Sequence, residues 1–208
     1  MSRILPVLAV FLSVGSGHAI TADQPVSNGE FRIIVDEPTP REGPLLIDGC
    51  EIKPGASCPG IDLSHANLRG LNLSGADFSG AKMLRADLFG AELRGANLSG
   101  TDLRGADLSM TQAQGIDVSN ADLTGANLDF ARLSGADFTG ANLTAASLEA
   151  VMAPKSRFVG AQVIGANLME AKFYNADFAE ATMAGNSAPY AIWEGVHMEN
   201  CTGCPVDW

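Results

Sequence analysis

A five-residue period governs this chain: from Ile61 to Asn200, twenty-eight units follow one another without insertion, and the middle residue of each is apolar. The centres are fourteen Leu, five Phe, three Met, three Ala, two Val and one Trp, and nineteen units carry Ala two places earlier. An amphipathic helix would place apolar residues at i, i+3, i+4 and i+7, and a simple strand would alternate them. Neither matches a unit that is small-in, polar-out, large-in and then turn-like for two residues. Fifteen units end in Gly, which accepts positive φ at little cost. Each unit therefore reads as a very short strand followed by a corner. So short a unit buries its apolar residues only by lying on copies of itself.

The centres also count the corners. Every twentieth residue gives Leu68, Leu88, Leu108, Leu128, Leu148, Leu168 and Ala188, and a second such column gives Phe78, Leu98, Val118, Phe138, Phe158, Phe178 and Met198. Columns of like residue are expected where side chains stack between layers, so the period predicts coils of twenty residues with four sides. About seven coils at the strand spacing make a rod of about 34 Å. The sides are named here by their first centres: Leu63, Leu68, Leu73 and Phe78.

Units such as Ala66-Asn67-Leu68-Arg69-Gly70 and Ala126-Asn127-Leu128-Asp129-Phe130 carry an A(D/N)LXX signature over 140 of 208 residues. That signature resembles the pentapeptide-repeat proteins. The resemblance implies an all-β fold, a right-handed quadrilateral β-helix with the Ala and the centre residue inward. It implies no shared catalytic site. Members that are understood act through their surfaces, some by imitating the shape and charge of DNA.

Residues 1–19 have the layout of a secretory signal: Arg3, an apolar core from Ile4 to Val14, and Gly17-His18-Ala19 before a cleavage point, with Ala22 as the alternative. The core is short for a membrane span, although an uncleaved anchor is the other reading. The expectation is a periplasmic or secreted protein with no stable membrane insertion after cleavage. Residues 20–60 read as an N-terminal cap and linker, with Phe31–Val35 as a strand candidate, 61–200 as the β-helix and 201–208 as a C-terminal cap. Cys50 and Cys58 precede the repeats, and Cys201 and Cys204 follow them. A bridge needs Cα atoms within about 7 Å, so bonds within each pair are expected, stapling the two ends. Trp193 and Trp208 offer bulk to close the far end.

The chain has 13 basic and 24 acidic residues. The Leu68 and Phe78 sides collect the acids, whereas the Leu73 side has Arg94, Arg132, Lys155 and Lys172 against Glu92 and Glu194. An acidic rod repels phosphate, which argues against direct nucleic-acid binding. Acidic faces fit a DNA mimic, but they also follow from the repeat's preference for Asp or Asn before the centre. Phe89, Met110, Phe130, Met169 and Tyr190 all fall on outward positions of the Leu68 side, among Asp87, Asp107, Asp129 and Glu149. Such a stripe is either scattered surface apolar residues, which are normal, or a site for a protein partner or a second copy of the chain.

Catalytic patterns are absent from the sequence, and it calls for no metal or cofactor. Cys201-Thr202-Gly203-Cys204 has thiol-oxidoreductase spacing without the strand–helix context that tunes a thiolate. His65 and His197 lie in units at opposite ends of the repeat, too far apart for a shared site. Ala113 and Ala153 replace large centres on the Leu73 side. Large neighbours such as Phe158 fill the space, the wall pinches inward, or a ligand cleft opens there. The leading reading is a non-enzymatic module presenting a rigid acidic surface for protein–protein interaction or scaffolding in the envelope. The alternatives are a DNA-mimicking inhibitor and a thiol redox protein.

Overall fold

Backbone pairing along the repeat follows one rule, visible across the residues 45–205 that the structure, a computed structural model, describes. All of them fall within one compact unit, Pro40–Trp208. The second residue of each unit pairs in parallel with the residue twenty places on, from Ser57↔Asp77 to Thr182↔Thr202. A step of twenty residues made of five-residue units is a coil with four sides, as the columns predict. Around each pair the amides alternate in direction: Leu68 donates to Asp87 at 2.8 Å, Gly70 to Phe89 at 2.9 Å, and Asp87 back to Ala66 at 2.9 Å. Corners close within the chain, as where the Ala66 amide donates to the Leu63 carbonyl at 3.0 Å. Ladder and corner together satisfy backbone groups that strands of one residue would otherwise leave unpaired.

The fifth residue of the unit takes the left-handed conformation at every corner, and Gly fills fifteen of the twenty-eight, as at Gly70 (φ 61°). A carboxylate or amide at the second position steadies the same corner. Asp107 accepts the Ser109 amide at 3.0 Å, and Asn127 accepts that of Asp129 at 3.0 Å. This local bond is the turn chemistry for which Asp and Asn are favoured. The acidic ladder is thus largely a consequence of how the corners are built.

First-position alanines and the centres fill the interior, and Leu68, Phe78, Leu88 and Leu143 have no exposed surface. The phenylalanine column stacks as the sequence suggests: Phe158 lies 4.7 Å from Phe138 and 4.4 Å from Phe178, centroid to centroid. Phe173 meets Phe158 edge-on and stacks on Trp193 at 4.8 Å. These rings and the small Ala153 centre belong to one buried core, with Phe173 one coil after Ala153 in the same column.

Ahead of the coils, β1 (Leu46–Ile47) and β2 (Cys50–Glu51) form an antiparallel hairpin. Its two-residue turn, Asp48-Gly49, has positive φ at both positions (47° and 79°), the primed turn that Asp-Gly favours. The ladder reaches back to Ser57, so Cys58 occupies a centre position and is buried. Cys58 is bonded to Cys50, with Cα atoms 6.1 Å apart, which ties the hairpin to the first coil. At the other end Cys201 is bonded to Cys204, Cα atoms 5.8 Å apart. Near that end β3 (Gln162–Ile164) and β4 (Thr182–Ala184) pair in parallel. Beyond β4, Asn186 stands where Ala is usual, and its side chain bonds the Ala166 amide and the Val163 carbonyl, both at 2.8 Å. The signal-like segment, the Phe31–Val35 strand candidate and Trp208 lie outside the described residues.

Candidate functional site

On the Leu68 side the fifth position departs furthest from Gly, which keeps only two of its seven corners. Its fifth positions run Gly70, Gly90, Met110, Phe130, Ala150, Glu170 and Tyr190. Met110, Phe130 and Tyr190 hold φ near +60° (59°, 60° and 62°). They are also 52%, 55% and 83% exposed. A bulky L-residue in this conformation brings its Cβ against the carbonyl, and an exposed ring or thioether recovers little by burial.

Register decides which of the sequence-selected residues meet. Met110 and Phe130 occupy adjacent coils: the Met110 amide donates to Asp129, and the Phe130 amide to Glu149, both at 2.8 Å. Phe89 lies one coil before them, half-buried, with the Arg69 guanidinium 4.1 Å above its ring. Met169 is half-buried beside Pro189 and the exposed Tyr190. Ala150 and Glu170 occupy the corner between Phe130 and Tyr190, a gap of about 14 Å at the ladder spacing. The stripe read from sequence is therefore two groups, Phe89–Met110–Phe130 and Met169–Tyr190.

The acids around the first group are held in place. Asp87 accepts from the Phe89 amide at 3.1 Å and pairs with Arg69 at 3.1 Å. Asp107 takes the Ser109 amide and hydroxyl. Asp129, at a corner, accepts the Glu149 amide of the next coil at 2.9 Å together with the Ser147 hydroxyl. Glu149 in turn accepts from the Asn167 amide group at 3.2 Å. The result is an apolar corner framed by fixed carboxylates.

The carboxyls displaced from their ordinary range lie elsewhere. The Arg104 side chain, bonding at 2.7 and 2.6 Å, lowers Asp102. Burial works to raise Asp177, but the Ala179 amide and the His197 ring outweigh it and the carboxyl is held low. Among the described residues no group of three or more His, Cys, Asp or Glu is placed to hold a metal ion, and Cys201 and Cys204 are joined to each other. No helix among them is long and apolar enough to cross a membrane.

A family model for pentapeptide repeats matches residues 55–83, 83–120, 116–151 and 155–185, in eight copies and over more than half of the chain. The chain belongs to the pentapeptide-repeat family. The matched span begins just ahead of Ser57, where the ladder also begins. The resemblance implies right-handed winding, and the twenty-residue ladder independently fixes the four sides. Among solved structures the pentapeptide-repeat chain is similar to HetL of the cyanobacterium Nostoc sp. strain PCC 7120, described as involved in heterocyst differentiation regulation. The two share 31% identity over 69% of this chain and 70% of that one, with a TM-score of 0.27. A thylakoid-lumen pentapeptide-repeat protein of Arabidopsis thaliana is 33% identical over 41% of this chain and 63% of its own, TM-score 0.27. QnrB1, a plasmid-mediated fluoroquinolone resistance protein, is 20% identical over 70% of this chain and 79% of its own, TM-score 0.44. Curated proteins give no match.

Three features escaped the sequence. The left-handed backbone at Met110 and Phe130 was within reach, since both stand at the fifth position of the unit, which Gly fills in fifteen of twenty-eight. The Asp48-Gly49 hairpin was also within reach, because Asp-Gly is its signature. The third is Gln114, whose side-chain oxygen is shielded from solvent without a donor among the described residues. It follows from packing that no periodicity encodes.

Proposed function

We propose that this pentapeptide-repeat protein is a non-enzymatic, exported module that presents its Phe89–Met110–Phe130 corner to a protein partner. One observation carries this reading: exposed, apolar Met110 and Phe130 sit on adjacent coils at left-handed positions that the repeat gives most often to Gly and otherwise mainly to Ala or polar residues such as Asn120 and Lys155. Holding a bulky residue there costs roughly 1–2 kcal/mol, and solvent returns nothing for it. Fixed carboxylates at Asp107, Asp129 and Glu149 frame the apolar centre. They favour a partner that brings an apolar pocket rimmed by Lys or Arg.

Export is supported by the signal-like residues 1–19 and by two disulfides, which persist in oxidising compartments. The bonds at the two ends of the repeat suit caps, which solenoids need where core and ladder end. A nucleic-acid mimic would display the acidic ladder, but Asp at the second position is explained by the corner amide it accepts, as at Asp77, Asp117 and Asp137, so the ladder's acidity follows from the repeat. Nothing at the corner therefore favours that reading.

The test is affinity capture from envelope extract with wild type and Phe130→Glu. Loss of one specific protein in the variant is the expected result. Identical captured sets, or none, would count against the corner as a contact. A mass that rises with concentration in wild type but not in Phe130→Glu would identify the partner as a second copy.

A further inference from the structure

The Leu73 side breaks a different rule. Beyond Asn72, its second positions are Glu92, Gln112, Arg132, Met152, Lys172 and Ile192. None is Asp or Asn, and among the described residues none bonds its corner amide from the side chain, as Asn72 does for Ser74. Over six coils this side has exchanged short turn-stabilising groups for long ones, and the fold gives no reason for the exchange. Arg132 and Lys172 stand here without an ion-pair partner among the described residues, in a chain of formal net charge −11.

Between the second- and fourth-position columns lies an open cleft of about 390 Å³, lined by Gln114, Ser134 and Pro154 on one flank and Arg132 and Met152 on the other. The side-chain oxygen of Gln114 is shielded from solvent and has no hydrogen-bond donor among the described residues. Leaving a buried acceptor unmade is unfavourable, so turning that amide toward a donor in the cleft gives up no existing bond. Ser134 adds a hydroxyl, and Met152 and Pro154 add an apolar floor. Register sets Lys172 next to Met152, and Lys155 beside Pro154.

We propose that this cleft binds an acidic sugar, a ring bearing a carboxylate, as one residue of an anionic polysaccharide. Arg132 takes the carboxylate through its paired N–H donors. A ring hydroxyl gives Gln114 the donor it lacks, and the C–H face of the ring lies on Met152 and Pro154. A chain of such residues running along the ladder meets Lys155 and Lys172 next. Inorganic phosphate supplies charge without an apolar face, a fatty acid has no hydroxyl donor for Gln114, and the Asp or Glu side chain of an acidic peptide brings no ring face to lie on Met152 and Pro154. The site is separate from the Met110–Phe130 corner and does not rest on that reading.

Calorimetric titration of the full chain with tetragalacturonate tests this, with maltotetraose, acetate and inorganic phosphate as comparisons. The expected result is saturable binding of tetragalacturonate alone, weakened about 10-fold or more in Arg132→Gln, since a charge-assisted bond is lost. Gln114→Leu should also weaken it. Arg85→Gln, on the Leu63 side, should leave it unchanged. Arg132 and Arg85 are exposed and Gln114 is half-buried, and unaltered thermal midpoints in all three variants establish that the coils persist. Absence of binding overturns the proposal. So does equal binding of acetate or phosphate, or an Arg132→Gln affinity equal to that of wild type.

Discussion

The Leu68 and Leu73 sides are built on the same ladder and the same core, yet they spend their outward positions in opposite ways. On the Leu68 side the second positions serve the fold: Asp87, Asp107 and Asn127 each bond their own corner amide. Its departures are at the fifth position, where Met110 and Phe130 replace Gly. On the Leu73 side the corners of the same coils keep Gly95, Gly115 and Gly135, and the departures are at the second position. A period this strict makes every departure measurable against its own column. Residues that serve the repeat can thus be told from those that serve something else.

The largest expected effect should fail to distinguish the two sides. Leu128→Ala, behind Phe130, and Leu133→Ala, behind Arg132, each remove a buried centre and should cost about 2–5 kcal/mol. Chemical denaturation checks this, and a difference well outside that range between them would mean that the sides do not share one core. Next come the corners. Asp107→Ala removes the Ser109 bonds and should cost roughly 1 kcal/mol, whereas Gln112→Ala on the Leu73 side should stay within about 0.5 kcal/mol. Equal losses would erase the distinction drawn between second positions.

Phe130→Gly should go the other way and stabilise by about 1 kcal/mol, because it relieves the left-handed Phe and loses only exposed surface. A raised thermal midpoint with weakened partner capture would show stability and contact pulling against each other at one residue. Smallest is the response to acid. The folded carboxyls of Asp102 and Asp177 lie below their ordinary value, so their contribution is complete above the unfolded pKa near 4 and is lost as pH falls through the folded values. The midpoint should be flat near neutrality and decline below about pH 4. Asp102→Asn should shallow that decline, and Gln112→Ala should not alter it.

Architecture was legible in the chain because stacking turns a period into columns. The leucine and phenylalanine columns are those that stack, with Phe138, Phe158 and Phe178 face to face. Cysteine pairing followed from the separation of the two ends. The site was less legible. Sequence placed Phe89, Met110, Phe130, Met169 and Tyr190 on one side, but their grouping depends on which coil each occupies and on the half-burial of Phe89 and Met169. Counting Cys58 as part of the linker hid its role as a buried centre, because Ala56-Ser57-Cys58-Pro59-Gly60 is itself a unit of the repeat. Gln114 could not be read at all. It lines one cleft with Arg132, Ser134 and Met152, and side-chain packing of that kind has no one-dimensional signature.

The central claim is that the Met110–Phe130 corner contacts a protein partner. Site-specific photocross-linking in the source cells tests it most directly. A photoreactive side chain would be placed at 110, at 130 and at 120, where Asn120 holds the same left-handed position on the Phe78 side. The account predicts one discrete adduct of the same mass from 110 and 130 and none from 120. Equal labelling at all three, or none at 110 and 130, would contradict it.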